Sequence, residues 1–274
     1  MTLVPSLNQA TVAQCSTEEF VRVCAKEGFD QVELRFEATE SYFATRGADE
    51  WGALLQDNNI KVASLNSLEH FSLMPDSSYR LMEEKTRFMC SLCSLLDTDL
   101  LVVVPSYRRP NFSPQQVVEK TAANLERLAR VAEDFGVRLG FEPIGLPWYS
   151  VRSWETGVRI VDQVGRDDVG LVVDTWNFYL GENRLDELRA TPIEKLWMVH
   201  LVDAPRELPP NLTDGHRLLP GEGGLALKEF VGVLSQMGYS GAVSVELFNE
   251  ELWSKRPQDA VRRSFCAVET LMPS

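Results

Sequence analysis

The chain has 274 residues, 44% of them hydrophobic, a length usual for one barrel-sized domain with a large buried core. A formal net charge of −13 argues against a nucleic-acid partner, which normally needs a basic patch, and no apolar run reaches the roughly 20 residues of a membrane helix. The opening Met1-Thr2-Leu3-Val4-Pro5 lacks the basic-then-apolar pattern of a secretory leader, so a cytoplasmic protein is the expectation.

Short, β-branched apolar runs alternate with helical stretches along the whole chain. The first run covers residues 2–7, and a helix follows it: Ser16 and Glu19 have capping-box spacing, while Gly28 and Phe29 close that helix into a second strand at 31–35. A third strand is expected at 61–66, a long helix at 79–96, a fourth strand at 100–104 and a second long helix at 114–135, ended near Gly136. Strands at 138–142, 169–174 and 196–201 come next. A helix at 226–237 stopped by Gly238, a strand at 241–246 and a helix at 257–271 complete the pattern. Eight strands at this spacing predict a (β/α)₈ barrel of the TIM type, one domain over residues 1–274. An open doubly wound sheet is the rival, but no GxGxxG or Walker sequence marks a nucleotide site. The longest irregular stretch, 202–224, is rich in Pro, Gly and charge, and a loop of that length in a compact domain is usually functional.

Five scattered cysteines suit a reducing compartment better than a disulfide framework. Cys90 and Cys93 form a CxxC pair, yet they fall inside the 79–96 helical pattern with no second pair, and buried helix residues are the better reading.

In a barrel the reactive side chains come from the C-terminal ends of different strands. Those ends carry Glu142, Asp174, His200 and Glu246, one polar residue closing each of four successive apolar strands. Burying such groups costs several kcal/mol each without a partner, and one divalent cation would serve all four. Three carboxylates and an imidazole suit Mn, Zn, Co or Mg without choosing among them. Asn8, Glu33 and Asn66 close the first three strands and are candidates for binding hydroxyls. Trp148 and Trp176 follow strand ends and are candidates for an apolar wall, and Glu222 is a candidate for orienting His200 or a hydroxyl.

At Phe141-Glu142-Pro143, Val173-Asp174-Thr175, His200-Leu201-Val202-Asp203, the run from Arg217 to Gly223 and Ser244-Val245-Glu246-Leu247-Phe248, the chain resembles the xylose-isomerase-like barrels. Within them it is most similar to the inosose (2-keto-myo-inositol) isomerase and ketose 3-epimerase group. The resemblance extends from Gly28 to near the C-terminus. It implies one metal held by Glu142, Asp174, His200 and Glu246, with Glu142 and Glu246 passing a substrate proton and Arg217 on substrate oxygens. One departure stands out: several relatives carry a histidine where this chain has Asn177, and an amide cannot titrate.

The expected chemistry is proton transfer α to the carbonyl of a keto-sugar or cyclic polyol ketone, with the metal stabilising the anion that forms. Three other readings differ in testable ways. A dehydroshikimate-type dehydratase would use the same metal and then expel a hydroxyl. An apurinic-site endonuclease would recruit His70 and His216 to a multi-metal cluster, and a non-catalytic sugar binder would need no base. Oligomeric state, homo-oligomer included, is left open by the sequence.

Overall fold

The computed structural model describes residues 3–272, so Thr2, the first residue of the expected first strand, lies outside the described residues. Eight parallel strands form one closed sheet in sequence order: β1 Val4–Asn8, β2 Gln31–Arg35, β3 Lys61–Leu68, β4 Leu100–Val103, β5 Arg138–Phe141, β6 Val169–Asp174, β7 Leu196–His200 and β8 Ala242–Val245. The expected (β/α)₈ barrel is the observed architecture. No helix among the described residues is long and apolar enough to cross a membrane.

By contact density the chain divides into two compact units, Met1–Ala63 with Val199–Ser274, and Ser64–Met198, the boundaries falling within β3 and β7. In the first unit β1 pairs with both β2 and β8, setting Leu7 opposite Val32 on one side and Val245 on the other. The helix Thr17–Glu27 opens on Ser16, whose side chain accepts the Glu19 N–H. It closes on Gly28, in the left-handed region at φ 106°. That glycine also admits Phe265 of the helix Pro257–Glu269, so one residue serves both the helix stop and the helix packing.

In the second unit β4 and β6 are buried along their whole length, as strands covered on both faces should be. The helix Asp76–Leu96 starts three residues earlier than the periodicity indicates, and it buries Cys90 and Cys93 among Met89, Leu92 and Leu96. The CxxC pair is therefore core. Ser113 and Gln116 form a reciprocal capping box with Pro114 at the first helical position, fixing the start of Pro114–Glu133.

Boundaries differ from expectation by one or two residues at most strands. β3 runs on to Leu68, with a register shift against β4 between Asn66 and Leu68. Helices Phe36–Phe43, Ala48–Asn58, Trp154–Val164 and Thr175–Leu180 arise in segments that the sequence pattern leaves unassigned. The last of these follows β6 with no spacer, because Asp174 both ends the strand and caps the helix.

Candidate metal centre

In the second unit, Glu142 directly follows β5, and its N–H still bonds to the Val103 carbonyl at 3.0 Å, extending the sheet by one residue. Asp174 points one carboxylate oxygen at the Asn177 N–H, 2.8 Å away, as the N-cap of its helix. Asn177 is buried and uses both ends of its amide: Nδ2 donates to Glu142 Oε1 at 3.0 Å, and Oδ1 accepts from the Gly145 N–H at 3.1 Å. A Cβ at residue 145 would lie 2.1 Å from the Asn177 carbonyl oxygen, so only glycine lets the segment after Glu142 approach closely enough. Asn177 is thus a neutral residue that fixes the glutamate.

In the first unit, His200 ends β7 fully buried. Its Nε2 lies 3.1 Å from Glu33 Oε1, while Ser244 Oγ donates to the other Glu33 oxygen at 2.9 Å. A carboxylate accepts, so Nε2 carries a proton, and Nδ1 is the nitrogen that can offer a lone pair to a cation. Nδ1 faces Glu246 Oε2 at 3.6 Å. Glu246, just past β8, accepts from Asn8 Nδ2 at 3.0 Å and from Arg217 Nη1 at 3.2 Å, and Arg35 Nη1 lies 3.8 Å off. Arg217 is itself buried, clamped by Asp214 at 3.1 Å and set over the Phe248 ring.

The loop that carries Arg217 is organised by Asp203. Its two oxygens accept backbone N–H groups from Ala204, Gly221, Gly223 and Leu225, all at 2.8–3.0 Å. A Cβ on Gly223 would meet the Ala204 carbonyl at 2.2 Å and the Asp203 carboxylate at 2.4 Å, which accounts for the glycine in Pro220-Gly221-Glu222-Gly223.

Glu142, Asp174, His200 and Glu246 each offer one ligand atom, all of them within 4.8 Å of one another, and all four residues are buried. Three carboxylates gathered in a buried space repel one another, and Arg217 and Arg35 stand beside Glu246. The donor set fits one divalent cation, with hard oxygens and one borderline nitrogen.

The remaining expectations separate here. Glu222 is exposed, with its carboxylate 2.9 Å from Arg263, and the orienting position on His200 expected of it is held by Glu33. Glu33 and Asn8 are buried partners of the cluster, hydrogen-bonded to His200 and Glu246. Asn66 is buried in β3 opposite Val102, two residues before the strand ends. Trp176 is fully buried, its indole N–H lacking an acceptor among the described residues, whereas Trp148 is exposed. His70 lies against Tyr107 with Glu69 nearby, and His216 hydrogen-bonds within its own turn to Thr213; neither joins the cluster.

A family model described as xylose isomerase-like TIM barrel matches residues 21–265. The chain belongs to that family. An inosose isomerase of Halalkalibacterium halodurans is 30% identical over 258 residues, 93% of this chain and 91% of that protein. A 3-dehydroshikimate dehydratase of Pseudomonas aeruginosa is 26% identical across 88% of this chain but only 38% of its own length. The crystal structure of the IOLI protein, described with a binding zinc atom, superposes with a TM-score of 0.93 at 26% identity, covering 99% of this chain and 98% of that one.

Proposed function

We propose that this barrel is a divalent-metal-dependent isomerase or epimerase that moves a proton α to the carbonyl of a cyclic polyol ketone, an inosose of the 2-keto-myo-inositol type, or of a related keto-sugar. The observation that carries the reading is the buried cluster, in which two glutamates stand among four ligand atoms gathered within 4.8 Å. The inosose isomerase relative, matched over nearly its full length, supports the substrate class, and the zinc of the IOLI structure supports a metal. Glu142, Asp174, His200 and Glu246 would hold the ion, whose charge would stabilise the oxyanion that develops as the α-proton leaves.

The protein's own residues do the rest. Glu142 and Glu246 act as the proton-transferring pair, one as base and one as acid. Asn177 holds Glu142 in place, and Arg217, already on Glu246, is positioned to meet a substrate oxygen. Asn66 and Trp176 belong to the substrate pocket in this reading, the unsatisfied indole N–H of Trp176 being a donor for a hydroxyl. In this reading the substrate is a small molecule and not a nucleic acid, residues 1–274 make up one barrel domain, and the cytoplasm is its compartment.

The decisive measurement is exchange of the α-proton with solvent deuterium over a panel of inososes and ketoses. Metal-dependent exchange and a rearranged ketone are expected; a panel that shows neither would remove the isomerase reading. The dehydratase relative supports a second reading with the same proton abstraction. Loss of water and the ultraviolet absorbance of an aromatised product from 3-dehydroshikimate would favour it over isomerisation.

A further inference from the structure

Away from the residues of the metal cluster, the second unit contains a cleft of about 530 Å³ walled by four arginines, Arg108, Arg109, Arg152 and Arg159, together with Phe112 and Tyr149. No aspartate or glutamate lines it. In a chain carrying 40 acidic against 27 basic side chains, four arginines lining one space without a carboxylate run against the overall balance. Most other arginines of this unit are paired: Arg127 with Glu83, Arg138 with Asp99, Arg166 with Glu133 and Asp168. Those of the cleft are not. Arg108 and Arg109 make no side-chain hydrogen bond or ion pair among the described residues, Arg159 bonds only to the amide oxygen of Gln115, and Arg152 is tied to the Gly145 and Leu180 carbonyls.

The surrounding backbone adds to the same sign. Pro114 and Thr156, from the first turns of the 20-residue helix Pro114–Glu133 and the 11-residue helix Trp154–Val164, stand in the wall, where helix dipoles contribute partial positive charge. Like charges gathered without counter-charge are held at a cost that a multiply charged anion relieves, and the guanidinium fork matches phosphate oxygens in pairs. The volume lies in the range of small-ligand sites, and Phe112, Val117 and the prolines give the cleft an apolar side suited to the carbon body of a ligand. We infer that this cleft binds a small organic phosphate, of the size of a sugar or polyol phosphate, at a site separate from the metal cluster.

The test titrates metal-loaded protein with glucose 6-phosphate, inorganic phosphate and uncharged glucose by calorimetry, comparing wild type with the Arg109→Gln/Arg159→Gln double variant. Both substituted positions are exposed and lie outside the metal cluster, so metal content, thermal midpoint and isomerase activity should match wild type. The sugar phosphate should bind the wild type with submillimolar affinity, more tightly than inorganic phosphate, and tenfold or more weakly in the double variant. Its affinity should also fall as salt is raised. Absence of binding up to about 10 mM overturns the inference. Equal affinity in both proteins overturns it too, because the phosphate would then be held elsewhere, and so does equal binding of glucose, because the charge would not matter. None of these outcomes touches the proposed isomerase reaction, which is read independently by proton exchange.

Discussion

Glu142 and Glu246 are the two glutamates of one cluster, and the side chains seen to hold them differ in kind. Glu142 is held by the Asn177 amide, itself locked to the Gly145 N–H. Glu246 is held by Asn8, Arg217 and, at longer range, Arg35, two of the three being cations. A neutral support tolerates a change of protonation at the carboxyl it holds, because no buried cation is left without its counter-charge. A cationic support does not. The Asn177 amide is compatible with either protonation state of Glu142, whereas the guanidiniums beside Glu246 favour its anion.

The largest expected effect comes from breaking the cluster outright. Asp174→Ala or His200→Ala should remove most of the single equivalent of divalent ion, read by elemental analysis, and activity should vanish with it; full turnover by metal-free protein would dismiss the cluster's role. Glu142→Gln keeps an oxygen for the ion and for Asn177 but loses the base, so turnover should drop about 10²–10⁴-fold while the metal stays bound. Wild-type rates in both Glu142→Gln and Glu246→Gln would reduce the glutamates to ligands.

Smaller effects sharpen the contrast between the two supports. Glu33→Gln, which weakens the acceptor on His200 Nε2, should lower metal affinity about 10–100-fold in a chelator competition, and unchanged affinity would show that the imidazole needs no such brace. In the metal-loaded protein, Glu246→Gln should cost about 2 kcal/mol of unfolding free energy because buried Arg217 loses a carboxylate partner. Glu142→Gln should cost less than half of that, since Asn177 can donate to an amide oxygen equally well. Equal losses would erase the difference between the two supports. The smallest effect is a negative one: the second sulfur- or nitrogen-bearing group that resembles a metal motif, Cys90 and Cys93, should stay silent. Burial pushes the Cys90 thiol up to about 12 and raises Cys93 as well, and Cys15 is likewise pushed up to about 12. Thiol titration of the native protein at neutral pH should therefore give one fast equivalent, from exposed Cys266.

The barrel and its four cluster residues are legible in the sequence because each of those residues interrupts an apolar strand at its end, and strand ends are where a parallel barrel gathers its chemistry. What supports the cluster is much harder to read. Glu33 is one acid within a five-residue strand, and only the sheet order, which sets β2 beside β1 and β1 beside β8, brings it to Ser244 and His200. The choice of Glu222 for that task follows from its place in a conspicuous glycine-rich run, but the run is shaped by Asp203 and turns Glu222 outward to Arg263. Asn177 reads as a missing histidine, whereas in three dimensions it is a connector whose two partners lie 32 and 35 residues away. Local pattern reports what a residue is; its partner depends on closure of chain segments that no local pattern encodes.

The Asp203 carboxylate carries a consequence for how the molecule comes apart. Four backbone amides spread between residues 204 and 225 share one acceptor group, so they have no independent way to open. Instead of fraying residue by residue, the segment should detach in a single concerted event, and hydrogen exchange at Ala204, Gly221, Gly223 and Leu225 should proceed at a common rate. The arginine clamped on Glu246 rides on that same segment. Substrate access and the integrity of this strap would then be governed by one equilibrium, a switch closed by a single side chain.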